Sequence, residues 1–198
     1  GWLPVILRFS GISELVKKKQ KPFAKEIPLI ELSSSAEFEL ETSLKSLKEK
    51  HGNIGGFIHL HPASSSPAES NLEDGANAFL KQAFLTAKNV FTFLNEAGKS
   101  DSIRSHFVTV TRLDGELGMG SGQFGAVGSG LSGLIKTAGI EWPDVFCRFV
   151  DLQPQITADT AASCILQELL DSDLRIKEVG YSGSGKSGTR RMTVQPKI

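Results

Sequence analysis

The chain has 198 residues, enough for one α/β domain with a full core, and its 22 basic and 22 acidic residues give a formal net charge of zero. That balance gives no reason to expect nucleic acid or an anionic membrane surface as partner, and no apolar run approaches the roughly 20 residues needed to span a bilayer. The opening Gly-Trp-Leu-Pro lacks the basic flank and long apolar region of a signal peptide, so the chain reads as a piece of a longer, cytoplasmic one.

The predicted elements alternate strand and helix. Leu3–Phe9 is an apolar strand, Ile12–Lys19 a short helix and Ile27–Leu32 a second strand. Ser35 caps a helix through about Glu49 with Phe38, Leu40, Leu44 and Leu47 along one side. Ile54–Leu60 is a near-continuous apolar strand, as expected inside a parallel sheet. A Ser/Pro-rich loop, His61–Asn71, leads to a long helix, Leu72–Glu96, with Phe79, Ala83, Phe84, Ala87, Val90, Phe91 and Leu94 at helical spacing. After the polar linker Gly98–Ser105 come the strand Phe107–Thr111, a Gly-rich loop, and a helix from about Gln123 to Ile140. The strand Phe146–Leu152, a helix Asp159–Leu170, the strand Ile176–Tyr181 and a β-prone tail Arg191–Val194 complete the chain. Alternating βα units imply a mostly parallel sheet of about six strands, with helices on both faces and a single domain.

A full dinucleotide-binding fold has two βαβαβ halves. Between Leu32 and Ile54 there is room for one helix only, so a strand and a helix of the first half are missing. The turn after the first strand, Ser10-Gly11-Ile12-Ser13-Glu14, has one glycine where a phosphate cradle needs several. Glu14 there suits the helix dipole and repels a phosphate. The fold expected is a truncated Rossmann-like one, with no cofactor site in this chain.

Three motifs compete for function. Gly180–Ser187 matches GxxxxGK[ST] to the letter, but a P-loop needs a helix straight after it, and the run to Pro196 is short and β-prone; a hairpin loop explains the glycines better. His59 and His61 alternate onto one strand face without a third metal ligand nearby, which reads as a strand end. Arg112 and Asp114 read as a pair that fixes the loop, with contact to a phosphopantetheine phosphate as the alternative. Cys147 and Cys164 sit in apolar patterns without metal-ligand spacing, as buried thiols in a reducing compartment would. Trp142, at the helix end, reads as core or interface.

Phe107–Pro143 has the frame of a short-chain-dehydrogenase active site: a strand whose end carries a catalytic Ser in that family, then a helix bearing Tyr and, four residues on, Lys. Here Thr109 and Thr111 flank the Ser position, Phe124 stands for the Tyr and Gly128 for the Lys, so the proton donor and its activator are absent. The runs TVTRLDG (109–115), GLSGLIKTAGIEWP (130–143), VFCRFVDL (145–152) and EVGY (178–181) resemble the ketoreductase region of polyketide synthases and polyunsaturated-fatty-acid synthases. Such regions resemble two tandem short-chain-dehydrogenase folds, a non-catalytic structural one and a catalytic one that binds NADPH and reduces a β-keto chain held on acyl carrier protein. The resemblance implies the first of these, with residues 182–198 leading to the catalytic half. It implies a partner in that half of the same polypeptide, and acyl carrier protein only indirectly. Glycines 125, 128, 130 and 133, if inside the helix rather than still in the loop before it, need compensation, and close helix–helix approach supplies one. Gly130, Gly133, Leu134 and Trp142 are therefore the candidate interface, through which the isolated chain could also self-associate. An active NAD(P)-dependent reductase with an atypical site, and a P-loop module, are the alternatives.

Overall fold

The computed structural model describes residues 2–9, 26–33, 37–61, 73–99, 104–120, 126–183 and 188–194. The helix expected at Ile12–Lys19, the turn with Glu14, and Phe124 lie outside the described residues. In chain order the elements are β1 (Ile6–Phe9), β2 (Leu29–Leu32), α1 (Glu37–His51), β3 (Gly56–Leu60), α2 (Glu73–Gly98), β4 (Ser105–Thr111), α3 (Ala126–Glu141), β5 (Val145–Leu152), α4 (Ala158–Leu170), β6 (Glu178–Ser182) and β7 (Arg190–Val194). β1 pairs with β2 in parallel, and β3-β4-β5-β6 form a parallel sheet that β7 closes in antiparallel fashion. Among the described residues, the expected sheet of about six strands is seven strands in two hydrogen-bonded groups, with no ladder joining β1 to β3. The mostly parallel α/β architecture stands.

Strand alternation divides the core. Phe107, Cys147 and Phe149 face α1, α2 and α3, meeting Leu40, Leu44, Ala87, Val90, Leu94, Leu131 and Ile135. Val108, Val110, Val150 and Leu152 face the other way and meet Ala161, Cys164 and Leu169 of α4, with Val179 and Tyr181 of β6. β4 and β5 are buried along their whole length, as central parallel strands covered on both faces are, so the polar residues they carry are buried with them. β1 and β2 pack on the first core through Leu7, Phe9, Ile30 and Leu32.

Helix ends follow local chemistry. α1 carries Glu37 and Glu39 in its first turn and Lys48, Lys50 and His51 in its last, matching the helix dipole. Gly52 follows at φ +87°, donating its amide to the Lys48 carbonyl, as an αL cap requires. Thr157 caps α4 by accepting the Thr160 amide. Two apolar expectations differ: Phe38 is 81% exposed and Phe84 58% exposed, although both sit at helical spacing with buried neighbours.

Candidate functional site

The carboxyl ends of parallel strands are where such sheets receive ligands, and two polar corners lie there. The first is built by β4, β5 and the loop 112–120. Parallel pairing sets Thr111 beside Asp151, and Asp151 is fully buried. The Thr111 hydroxyl donates to Asp151 Oδ1 at 2.9 Å, and the Leu113 amide donates to the same oxygen at 2.8 Å. Oδ2 accepts the amides of Gly115 (2.8 Å), Leu117 (3.1 Å) and, at 3.4 Å, Asp114. Asp114 in turn accepts the amides of Glu116, Gly118 and Gly120 at 2.8–2.9 Å. The Asp151 carboxyl is raised from its ordinary pKa by burial and by the Asp114 carboxyl hydrogen-bonded to it. Asp114 stays below its ordinary range: burial pushes it up, and the amides of Gly118, Glu116 and Gly120 more than offset this.

The loop also approaches β6 closely. Gly115 has φ +74°, and a Cβ there would run into the Tyr181 carbonyl; a Cβ on Gly180 would meet the Gly115 carbonyl. Glycine on both sides permits backbone-to-backbone contact. Arg112 does not pair with Asp114, as the sequence suggested; it donates to the carbonyls of Pro154 (3.2 Å) and Ile156 (2.8 Å), tying the loop to the turn after β5.

Gly128, which the sequence reading sets at the lysine position of a short-chain-dehydrogenase frame, is buried against this loop, and a Cβ on it would lie 2.8 and 2.9 Å from the two Leu113 methyls. The loop's own leucine occupies the space beside that position.

The second corner is His59, His61 and Thr109. The two imidazoles share a face, stacked with centroids 6.4 Å apart, and Phe79 of α2 meets His61 edge-on at 5.2 Å. β3–β4 register sets His59 beside Thr109. His59 Nε2, His61 Nδ1 and Thr109 Oγ1 are buried and, among the described residues, have no hydrogen-bond partner. Burial pushes both imidazoles down to about 4, His59 also through the neighbouring His61. Among the described residues no group of three metal-ligating side chains gathers.

The candidate interface residues fall in different places. Gly130 faces inward, where a Cβ would lie 2.7 Å from a Leu80 methyl, so this glycine serves the α2–α3 contact. Gly133 faces open space, with nothing within 4 Å of a Cβ. Trp142 is 9% exposed, stacked on Phe91 with ring centroids 4.8 Å apart and tilted against Phe107 at 5.3 Å. It forms the floor of a groove of about 410 Å³ between α2 and α3, walled by Phe84, Ala87, Phe91, Leu134 and Ala138 and rimmed by Lys88 and Glu141.

A buried ion network was not foreseen. Arg148 and Glu168, 0% and 1% exposed, pair between β5 and α4. Arg148 also reaches Asp171 at 2.9 Å, and Arg191 of β7 reaches Glu168 at 2.7 Å and Asp171 at 2.7 Å; the Tyr181 hydroxyl donates to Glu168. Burial raises Glu168, but Arg191, Tyr181 and Arg148 outweigh it and hold the carboxyl below its usual range. Arg148 and Asp151 inside the apolar run VFCRFVDL were the available signal, since charges buried in a strand demand partners. The segment after β6 turns back as the antiparallel strand β7 rather than entering a helix, which overturns the P-loop alternative; residues 184–187 of that motif lie outside the described residues. Cys147 and Cys164 are buried and free, and burial pushes the Cys147 thiol up to about 12. No described helix is long and apolar enough to cross a membrane.

Sheet order and the helices on both faces define a Rossmann-like α/β fold, similar to that of short-chain dehydrogenases. A short-chain dehydrogenase of Bacillus anthracis superposes with TM-score 0.60 at 16% identity, covering 86% of this chain and 79% of that one. An apo SCOR enzyme of Clostridium thermocellum gives 0.58 at 11% identity, covering 88% of each. In sequence the chain is 28% identical over 199 residues to one of the polypeptides of the polyunsaturated fatty acid synthase of Thraustochytrium sp., covering 96% of this chain and 6% of that relative. The chain therefore resembles one small part of a large multidomain synthase polypeptide, and the resemblance drawn from the motifs is borne out. No family model matches.

Proposed function

We propose that this chain is the non-catalytic structural half of a ketoreductase region in a cytoplasmic polyketide or polyunsaturated-fatty-acid synthase. It packs on and stabilises the NADPH-dependent half that reduces the β-keto acyl chain, and it meets acyl carrier protein only indirectly. The observation that carries this reading is at Gly128. The family's lysine would have to reach from a position whose side-chain space Leu113 fills, within a loop held by Asp151 and Asp114. The groove between α2 and α3 supports the partner: Phe84 and Phe91 lie at the spacing of core residues and remain on or near the surface, beside Leu134 and the open Gly133.

Two measurements test it. Calorimetry with NADPH and the isolated chain should show no binding at millimolar cofactor; micromolar binding would favour an active reductase. Co-purification with the downstream catalytic half should succeed. Gly133→Leu should weaken that complex at least about tenfold, roughly 1.4 kcal/mol, while leaving the lone fold intact, because a Cβ there meets nothing. An unaltered complex with Gly133→Leu would remove α3 from the interface. Light scattering reads self-association through the same face.

A further inference from the structure

We propose that loop 112–120 is a plug held shut by the chain's own carboxylates, which take the place that a ligand's anionic or carbonyl oxygen would occupy at the carboxyl ends of β5 and β6. This is independent of what the α2–α3 face binds. The loop leaves β4 at Thr111 and crosses Asp151 at the end of β5, and Gly115 then lies backbone-to-backbone against Gly180 and Tyr181 of β6. Converging backbone amides in such a loop form an anion-binding concavity. Here the concavity is filled from within. The amides of Leu113, Gly115 and Leu117 point at Asp151, and those of Glu116, Gly118 and Gly120 at Asp114. Arg112 anchors the start of the loop on the Pro154 and Ile156 carbonyls, and Leu113 seals it against Gly128 of α3.

The design is specific to a carboxylate at position 151. Each of its oxygens faces N–H donors, so an asparagine sets its own NH₂ against a donor whichever way it turns. Only the loop depends on Asp151 as a hydrogen-bond acceptor, apart from Thr111, since the ladder of β4 with β5 closes without it.

Amide hydrogen exchange followed by NMR on the chain reads the plug residue by residue. Asp151→Asn should raise exchange at Leu113, Gly115 and Leu117 about 30-fold, the factor expected for about 2 kcal/mol, while the amides of β4 and β5 keep their protection. Asp114→Asn should raise exchange at Glu116, Gly118 and Gly120 and spare Leu113. Unchanged exchange in the loop of Asp151→Asn would overturn the plug. So would an even loss of protection across the sheet, which would make Asp151 an ordinary core residue. If Asp151→Asn does not fold, Asp114→Asn decides alone: selective release of its three amides supports the plug, and their continued protection overturns it.

Discussion

Thr109 and Thr111 stand two residues apart on one face of β4, 1% and 0% exposed, and their surroundings are opposite. Thr111 belongs to a corner where every donor meets an acceptor: Asp151 takes its hydroxyl and the loop amides, and Asp114 takes the rest. Thr109 belongs to a corner where three polar atoms, its own and those of His59 and His61, meet none among the described residues. A buried polar group left unpaired costs about 1–3 kcal/mol, more than a typical hydrogen bond contributes. One corner has been filled by the chain itself, and in the other the polar groups pack on one another and on Phe79 without a hydrogen-bond partner among the described residues. Partnering, not burial, separates them.

The contrast can be broken at its most heavily partnered point. Glu168 is buried like Asp151 and holds Arg148, Arg191 and Tyr181. Glu168→Ala strands Arg148 without its partner and should cost about 3–5 kcal/mol in chemical denaturation. A cost under about 1 kcal/mol would mean that the network adds nothing beyond packing.

Acid sharpens the contrast from the other side. His59 and His61 titrate near 4 in the folded chain and near 6.5 when unfolded, so the unfolded state takes up protons that the folded state refuses. Stability is then complete above pH 6.5, falls as pH drops from 6.5 to 4, and stops falling through these groups below 4. Each group moved that far removes at most about 3 kcal/mol across that window, and the two are not fully additive because His61 is part of the cause of the His59 shift. His106, also lowered by burial, acts in the same direction. Glu168 behaves differently: its lowered carboxyl contributes stability that is lost only as pH falls below about 4.5. Denaturation midpoints measured from pH 7.5 to 4 should lose most of their slope in the double variant His59→Leu, His61→Leu. A slope that survives would place the acid sensitivity elsewhere.

The smallest effect makes the cleanest comparison. Thr111→Val deletes a hydrogen bond to a buried carboxylate and should destabilise by about 1–2 kcal/mol. Thr109→Val, with the same change in shape, deletes an unpaired hydroxyl and should be neutral or stabilise by up to about 1 kcal/mol. Equal costs at the two positions would show that Thr109 has a partner, such as an ordered water.

Much of this was legible in the sequence. The near-continuous apolar run Ile54–Leu60 announced a parallel sheet, and β3 does pair in parallel with β4; Ala83, Ala87, Val90 and Leu94 announced the buried stripe of α2. Gly128 in the lysine position was readable from the frame alone, because position in a motif is a local property. The alternation of His59 and His61 onto one face was likewise local, since a strand repeats every two residues.

Tertiary structure decided the rest, through contacts between residues far apart in the chain. Thr111 and Asp151 are 40 residues apart and meet only because β4 and β5 pair in one register. Glycines of one helix acquired different roles for the same reason. Gly128 admits Leu113, Gly130 admits Leu80, and Gly133 admits nothing, although helix propensity charges all three alike. Phe38 and Phe84 fit an apolar period and still face outward, because amphipathic spacing marks a face and cannot say which other element will cover it. The sequence by itself determined the alternating α/β elements and which residue types stand along the helix after β4. Which polar groups found partners was settled only by folding, because hydrogen bonds between strand ends depend on register and on loop path.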